Sequence, residues 1–386
     1  MEEAKDPSSS SSISRGGHFR GLPHRLVQLL VLFLVLCLSF SVVSVYMVKH
    51  YGIVYEPLKP SLVSSCVVKE ELKKEPNDLE HWIKPPSNLM HTMTDKELFW
   101  RASLMPRVKE YPFKRVPKIA FMFLTKGPLP LAPLWERFFK GNEGKSSVYV
   151  HSSPSFKAQF PPKSVFYERQ IPSQVAEWGK MSICDAERRL LANALLDIAN
   201  EWFILLSESC IPLRNFTLIY THIKRSKHSF IGSFDDPGPY GRARDDPNML
   251  PEVNISQWRK GSQWFEIDRN LALYIVEDVT FYPKFSDFCT PPCYVDEHYF
   301  PTMLAIKAAN RLANRSLTWV DWSRGGAHPA TFGRSDITEA FVKRMLEGHR
   351  CVYNGRNSSV CFLFARKFAP SALEPLFILA PKYLGF

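Results

Sequence analysis

The chain has 386 residues, 45% hydrophobic and 23% charged, and 49 Lys and Arg against 38 Asp and Glu give it a formal charge of +11. A basic balance of that size raises nucleic acid as a partner, but the first fifty residues exclude it by putting the folded part across a membrane. What remains for the surplus is a solvated surface, an acidic polysaccharide, or the phosphates of an anionic substrate.

Residues 1–25 are Ser-rich with Gly punctuation, which predicts a disordered cytoplasmic tail. Residues 26–48 then run without a charge, long enough to cross a bilayer as a helix. The apolar core of a cleaved signal peptide is shorter, about 7–15 residues, so an uncleaved transmembrane anchor is expected. Arg15, Arg20 and Arg25 precede the segment, and Lys49 and Lys59 follow it. That asymmetry favours a cytoplasmic N-terminus. Four N-glycosylation sequons, at Asn215, Asn254, Asn314 and Asn357, all lie beyond the segment. Together these features predict a single-pass type II protein facing a secretory lumen. An oxidising lumen pairs cysteines. Cys351 with Cys361, which close a short loop, is the first expected disulfide. Cys184 with Cys210 is a second, and Cys289 and Cys293 bridge each other or distant partners. Cys66 is left over, free or joining two chains as a homodimer.

Residues 49–115, with Pro, Lys and Glu and weak periodicity, read as a stem whose end, Thr94 to Met105, is a helix that docks on the domain. From 116 the texture changes. Lys118–Thr125, Ser147–His151 and Trp202–Ser207 are short apolar runs that suit buried strands. Leu131–Lys140, Met181–Asn200 and Phe216–Lys227 have helical spacing. Such alternation predicts an α/β domain over 116–386 around a largely parallel sheet.

Three motifs carry candidate chemistry. Glu143-Gly-Lys-Ser146 imitates the end of a phosphate-binding loop, but position 139 is Phe and a strand follows where a helix belongs, so it is rejected. Asp235-Asp236-Pro and Asp245-Asp246-Pro suggest a divalent metal, yet Asp-Pro and Pro-Gly are turn chemistry, and Arg242 and Arg244 stand ready to neutralise the acids. Residues 289–300, CTPPCYVDEHYF, hold two cysteines, two acids and a histidine. Zinc on Cys289, Cys293 and His298 lacks a second ligand pair, so a disulfide across the Pro-Pro turn is expected. Asp296 is read as an N-cap and Glu297 as a first-turn acid. A carboxylate on a braced helix end also suits a general base.

The segment from Cys293 to His298, followed by an apolar helix, resembles the "SPDE" stretch of the core-2/I-branching β-1,6-N-acetylglucosaminyltransferases. Further stretches agree in order: Lys118–Thr125, Val148–His151, Glu177-Trp178-Gly179, Leu205–Arg214, Lys260–Phe265 as an acceptor-side "SGSxxF" strand, and Cys361–Phe368 as the terminal "FANKF". The wording of 235–246 and 320–332 is nearest the plant branch.

The resemblance implies a GT-A-like, Rossmann-like mixed sheet behind the membrane helix. It implies a Golgi glycosyltransferase that moves sugar from a UDP-sugar to a glycan or glycoprotein hydroxyl with inversion, without a metal or other cofactor. Glu297 maps onto the catalytic base and Lys367 onto the cation that takes up diphosphate charge, with Arg324, Arg334 and His328 as substitutes for a basic residue that this chain lacks at the family spacing. Trp178, Ser207, Glu208, Ser262, Gln263, Trp264 and Asp296 are expected to shape donor and acceptor surfaces. Ser152 stands where the family carries an Asp. These departures keep a second reading open, a non-catalytic lumenal binding or scaffold protein on the same fold.

Overall fold

The computed structural model describes residues 24–51, 79 and 83–386, with 109 and 158 excepted. Most of the expected tail, the first part of the stem and Cys66 therefore lie outside the described residues. The chain divides into two compact units, Met1–Lys73 and Lys74–Phe386. In the first, α1 (His24–Tyr51) contains a 19-residue stretch, Gln28–Tyr46, long and apolar enough to cross a membrane.

The second unit opens with α2 (Asp95–Ser103), which starts in a capping box between Thr94 and Glu97. This is the helix expected at the end of the stem. It buries Leu98 and Ala102, and Asp95 makes a bidentate pair with buried Arg189 at 2.7 and 2.8 Å.

The main sheet holds β1 (Lys118–Leu124), β2 (Ser146–His151), β3 (Asn200–Ser207) and, further along the chain, β5 (Glu266–Asp268). Its order is β2-β1-β3-β5, parallel except for β5. The strands are continuous apolar runs because both faces are covered. Ile119, Phe121 and Phe123 enter one core with Trp135, Phe138 and Phe139 of α3 (Ala132–Phe139). Ala120 and Met122 enter the other with Leu190, Leu191 and Leu195 of α4 (Met181–Leu195). Each expected strand and helix up to residue 224 is present, the last as α5 (Phe216–Lys224). The acceptor-side strand begins later than expected, at Glu266, with 260–265 as its approach loop.

A smaller sheet, β4-β9-β6, is built from two-residue strands: β4 (Ile211–Pro212), β6 (Thr318–Trp319) and, after a hairpin of β7 (Cys351–Tyr353) and β8 (Arg356–Ser358), β9 (Phe364–Ala365). Glu266 joins the two sheets. Its buried carboxylate accepts from Leu317 N–H at 3.1 Å and from Thr318 Oγ1 at 3.3 Å, and burial pushes its pKa up to about 8. The joint sets β9, and the residues after it, beside the C-terminal end of β3.

The expected disulfide Cys351–Cys361 forms, and Cys289–Cys293 bridge each other. Cys184 and Cys210 do not pair; both are buried thiols. Cys184 belongs to the α4-side core and Cys210 to the α3-side core, so the sheet separates them.

Candidate active site

The stretch 289–300 is built as a rigid shelf. The Cys289–Cys293 bridge closes the turn after α7 (Phe281–Phe288), which follows α6 (Arg269–Val276). Tyr294 follows in the left-handed region, at φ +55°, a conformation that a bulky side chain adopts at a cost. Val295 and His298 are fully buried, His298 stacking on Trp258 at 4.8 Å with Nδ1 on the Arg259 carbonyl at 2.9 Å. Burial holds its pKa down at about 3, so it is a neutral core histidine. Residues 295–297 form one 3-10 turn, and α8 (Tyr299–Ala308) starts after it with His298 at its cap. Asp296 is therefore not the N-cap that the sequence suggested.

Glu297 stands on this shelf, held from both ends. Its carbonyl accepts from Gly261 N–H at 2.7 Å. A side chain at 261 would put Cβ 2.1 Å from the Gly232 carbonyl, so only glycine permits the approach. Its carboxylate Oε2 takes Lys260 Nζ at 2.7 Å, with Arg244 Nη1 at 3.5 Å. Lys260 is fixed by a two-way backbone bridge to Phe234. Arg244 stacks over Tyr294 at 4.7 Å and Tyr240 at 5.3 Å. Of the two arginines expected to neutralise the acid pairs, Arg242 does so, bidentate with Asp235 at 2.6 and 2.7 Å, whereas Arg244 serves Glu297. Asp236 and Asp246 cap their own turns through Gly238 N–H and Asn248 N–H.

Glu297 opens on a cavity of about 660 Å³. Of the residues expected to bind donor or acceptor, Trp178, Ser262, Gln263, Trp264, Asp296 and His328 line it, along with Arg244, Lys260 and Arg366, which the sequence did not assign to a site. Arg366 follows β9. It is half-buried, its Nε is buried without a hydrogen-bond partner, and its guanidinium forms no ion pair among the described residues. The guanidinium lies over the Trp264 ring at 4.1 Å. Burial pushes its pKa down, against the longer-range pull of Cys210, Glu208 and Asp296. A half-buried cation without an ion pair, at a cavity wall, is a site for an anion.

The other expected cations divide. Lys367 lines a second cavity of about 420 Å³, with Glu208, Ser209 and Pro128, at the C-terminal ends of β1 and β3. The two cavities are neighbours along the chain twice over: Pro329 and Arg366 line the first, Thr331 and Lys367 the second. His328 feels both cations; burial first, then Lys367 and Arg366, hold its pKa below the usual imidazole value. Arg324 is turned away, over Phe332 at 5.4 Å and 3.5 Å from Asp336, and Arg334 pairs with Glu374. Neither lines either of these two cavities, and a carboxylate pairs with each. Ser207 is buried and bonded to Ser209 and Cys210. Among the described residues no three His, Cys, Asp or Glu converge as a metal set would.

Beneath the floor lies a second acid. Asp296 is buried with Oδ1 unpartnered, and burial, then the charge of Glu297, raises its pKa from 3.8 to about 6. Lys260 and Arg244 pull the other way. A raised carboxyl costs the folded state once ionised. Asp296→Asn should therefore be no more stable than the parent below about pH 4, and more stable above about pH 6, by up to roughly 3 kcal/mol for a two-unit shift. Melting curves from pH 4 to 8 check this; equal gains at every pH would refute the assignment.

A family model described as the core-2/I-branching enzyme matches residues 119–346. A rice protein, Glycosyltransferase BC10 of Oryza sativa subsp. japonica, is 36% identical over 300 residues, which cover 66% of this chain and 74% of the relative.

Proposed function

The chain belongs to the core-2/I-branching enzyme family and is a glycosyltransferase, and from that premise we propose that it is a type II Golgi enzyme with a lumenal GT-A-like domain. Residues 1–25 are its tail, 26–48 its anchor, 49–115 its stem and 116–386 its catalytic domain. Two disulfides and four sequons beyond the apolar helix support the lumenal placement. It transfers N-acetylglucosamine or another sugar from a UDP-sugar to a glycan hydroxyl.

One observation carries the chemistry: a fixed carboxylate, Glu297, and a half-buried cation with no ion pair among the described residues, Arg366, line the same cavity. The acceptor hydroxyl gives its proton to Glu297 and its oxygen attacks the anomeric carbon. The bond to UDP breaks on the opposite face, so the configuration inverts. The departing diphosphate gains charge between Arg366 and Lys367, which are preorganised for it. The nucleotide end takes the second cavity, at the carboxyl ends of the parallel strands. Fixed cations doing this work make a divalent ion unnecessary.

The test is transfer by the full-length protein in detergent, with several UDP-sugars and glycan acceptors, in the presence of excess chelator. Product of inverted anomeric configuration, formed at an unchanged rate, is expected. A retained configuration removes the single displacement, and a need for manganese removes the metal-free step.

A further inference from the structure

Three of the four aromatic rings at the mouth of the Glu297 cavity are left in water, and the fourth, Tyr294, is half-buried. Trp178 is 47% exposed, Trp322 50% and Tyr240 64%, and Tyr294 lies beside them. They come from four separate segments, so no single helix face or strand explains their meeting. Three of them are held together: Trp178 packs on Tyr294 at 4.8 Å and on His328 at 5.0 Å, and Arg244 spans Tyr240 and Tyr294, while Trp322 lines the same cavity. Tyr294 also has the left-handed backbone noted above, a conformation that persists where its surroundings impose it. Large rings turned outward give up burial that the core would reward. A cluster of them around a cavity marks a surface meant to be covered.

We propose that these rings are an acceptor platform for an extended oligosaccharide chain, gripping sugar units beyond the one that receives the transfer. The inference rests on the glycosyl-transfer reading of the same cavity. A sugar ring matches the surface in both of its parts. Its C–H face lies on an aromatic face, whose quadrupole attracts partial positive charge. Its edge hydroxyls meet Lys260, Asp236 and Gln263, which line the cavity beside the rings. A peptide acceptor in extended form would call for a free strand edge. None of the residues lining this cavity belongs to a strand of either sheet.

The experiment is calorimetric titration of the full-length protein in detergent with mono-, di-, tetra- and hexasaccharides of glucose, galactose and xylose, with a serine-rich peptide and with UDP. In at least one sugar series affinity should rise about tenfold from the single unit to the tetramer. Trp322→Ala and Tyr240→Ala should each lose roughly that factor, the worth of one aromatic face, while binding UDP as the parent does. Both side chains are largely exposed, so the variants keep the fold. Affinity flat with length in every series overturns the platform, as does unchanged binding in both variants or tighter binding of the peptide. Failure of the parent to bind UDP would instead count against the donor reading and leave the sugar titrations to speak for themselves.

Discussion

Glu297→Gln should lower the transfer rate by about 10²–10⁴-fold, the usual worth of a general base, while UDP still raises the melting temperature of the variant. The substitution keeps the size of the side chain and its ability to accept from Lys260 and Arg244 through an amide oxygen. What it removes is the capacity to take a proton. The shelf itself is insured against the change. Its rigidity comes from the Cys289–Cys293 bridge, buried Val295 and His298, and the Gly261 contact to the Glu297 carbonyl, none of which involves the carboxylate. A loss of rate is therefore a loss of chemistry, and it should fall on kcat at saturating donor. A variant that turns over within a few-fold of the parent would leave Glu297 as nothing more than a counter-ion for two cations.

How much of this could be read from the sequence follows from what each feature imprints on its neighbours. β1, β2 and β3 are covered on both faces, so each is an uninterrupted apolar run, and α3, α4 and α5 carry helical spacing; all six stood out. The small sheet did not, because strands of two residues, such as Ile211–Pro212 and Phe364–Ala365, are too short to show any period. Glu297 was legible because its shelf is local: the cysteines, prolines and acids that make it lie within twelve residues. Its partners were not, since Lys260 is 37 positions away and Arg244 is 53. The Cys184–Cys210 pairing failed for a related reason, as nothing in the chain states which face of the sheet each residue enters. At Arg366-Lys367 the sequence offered two adjacent cations. The resemblance selected Lys367, while Arg366 is the one that shares a cavity with the base.

Arg366→Met should separate activity from stability, because a cation kept for a ligand and a cation kept for the fold respond with opposite signs. Burial holds the Arg366 pKa below its ordinary value, so the unpaired guanidinium costs the free fold stability. Stacking over Trp264 returns about 0.5–2 kcal/mol of that, so the free protein carries a net penalty at this position. Methionine fills much of the same space and keeps a contact with the ring. The unliganded variant should then melt at the same temperature as the parent or a few degrees higher, as apolar replacements of buried charges often do. Its kcat should fall by about 10²–10³-fold, the measured scale for losing one preorganised group aimed at developing charge. The thermal shift given by UDP should shrink in parallel, since the ground-state diphosphate uses the same cation. Lys367→Met, whose side chain lines the neighbouring cavity, should also weaken UDP. A structural Arg366 would give the reverse pattern: a lower melting temperature with kcat and the UDP shift intact.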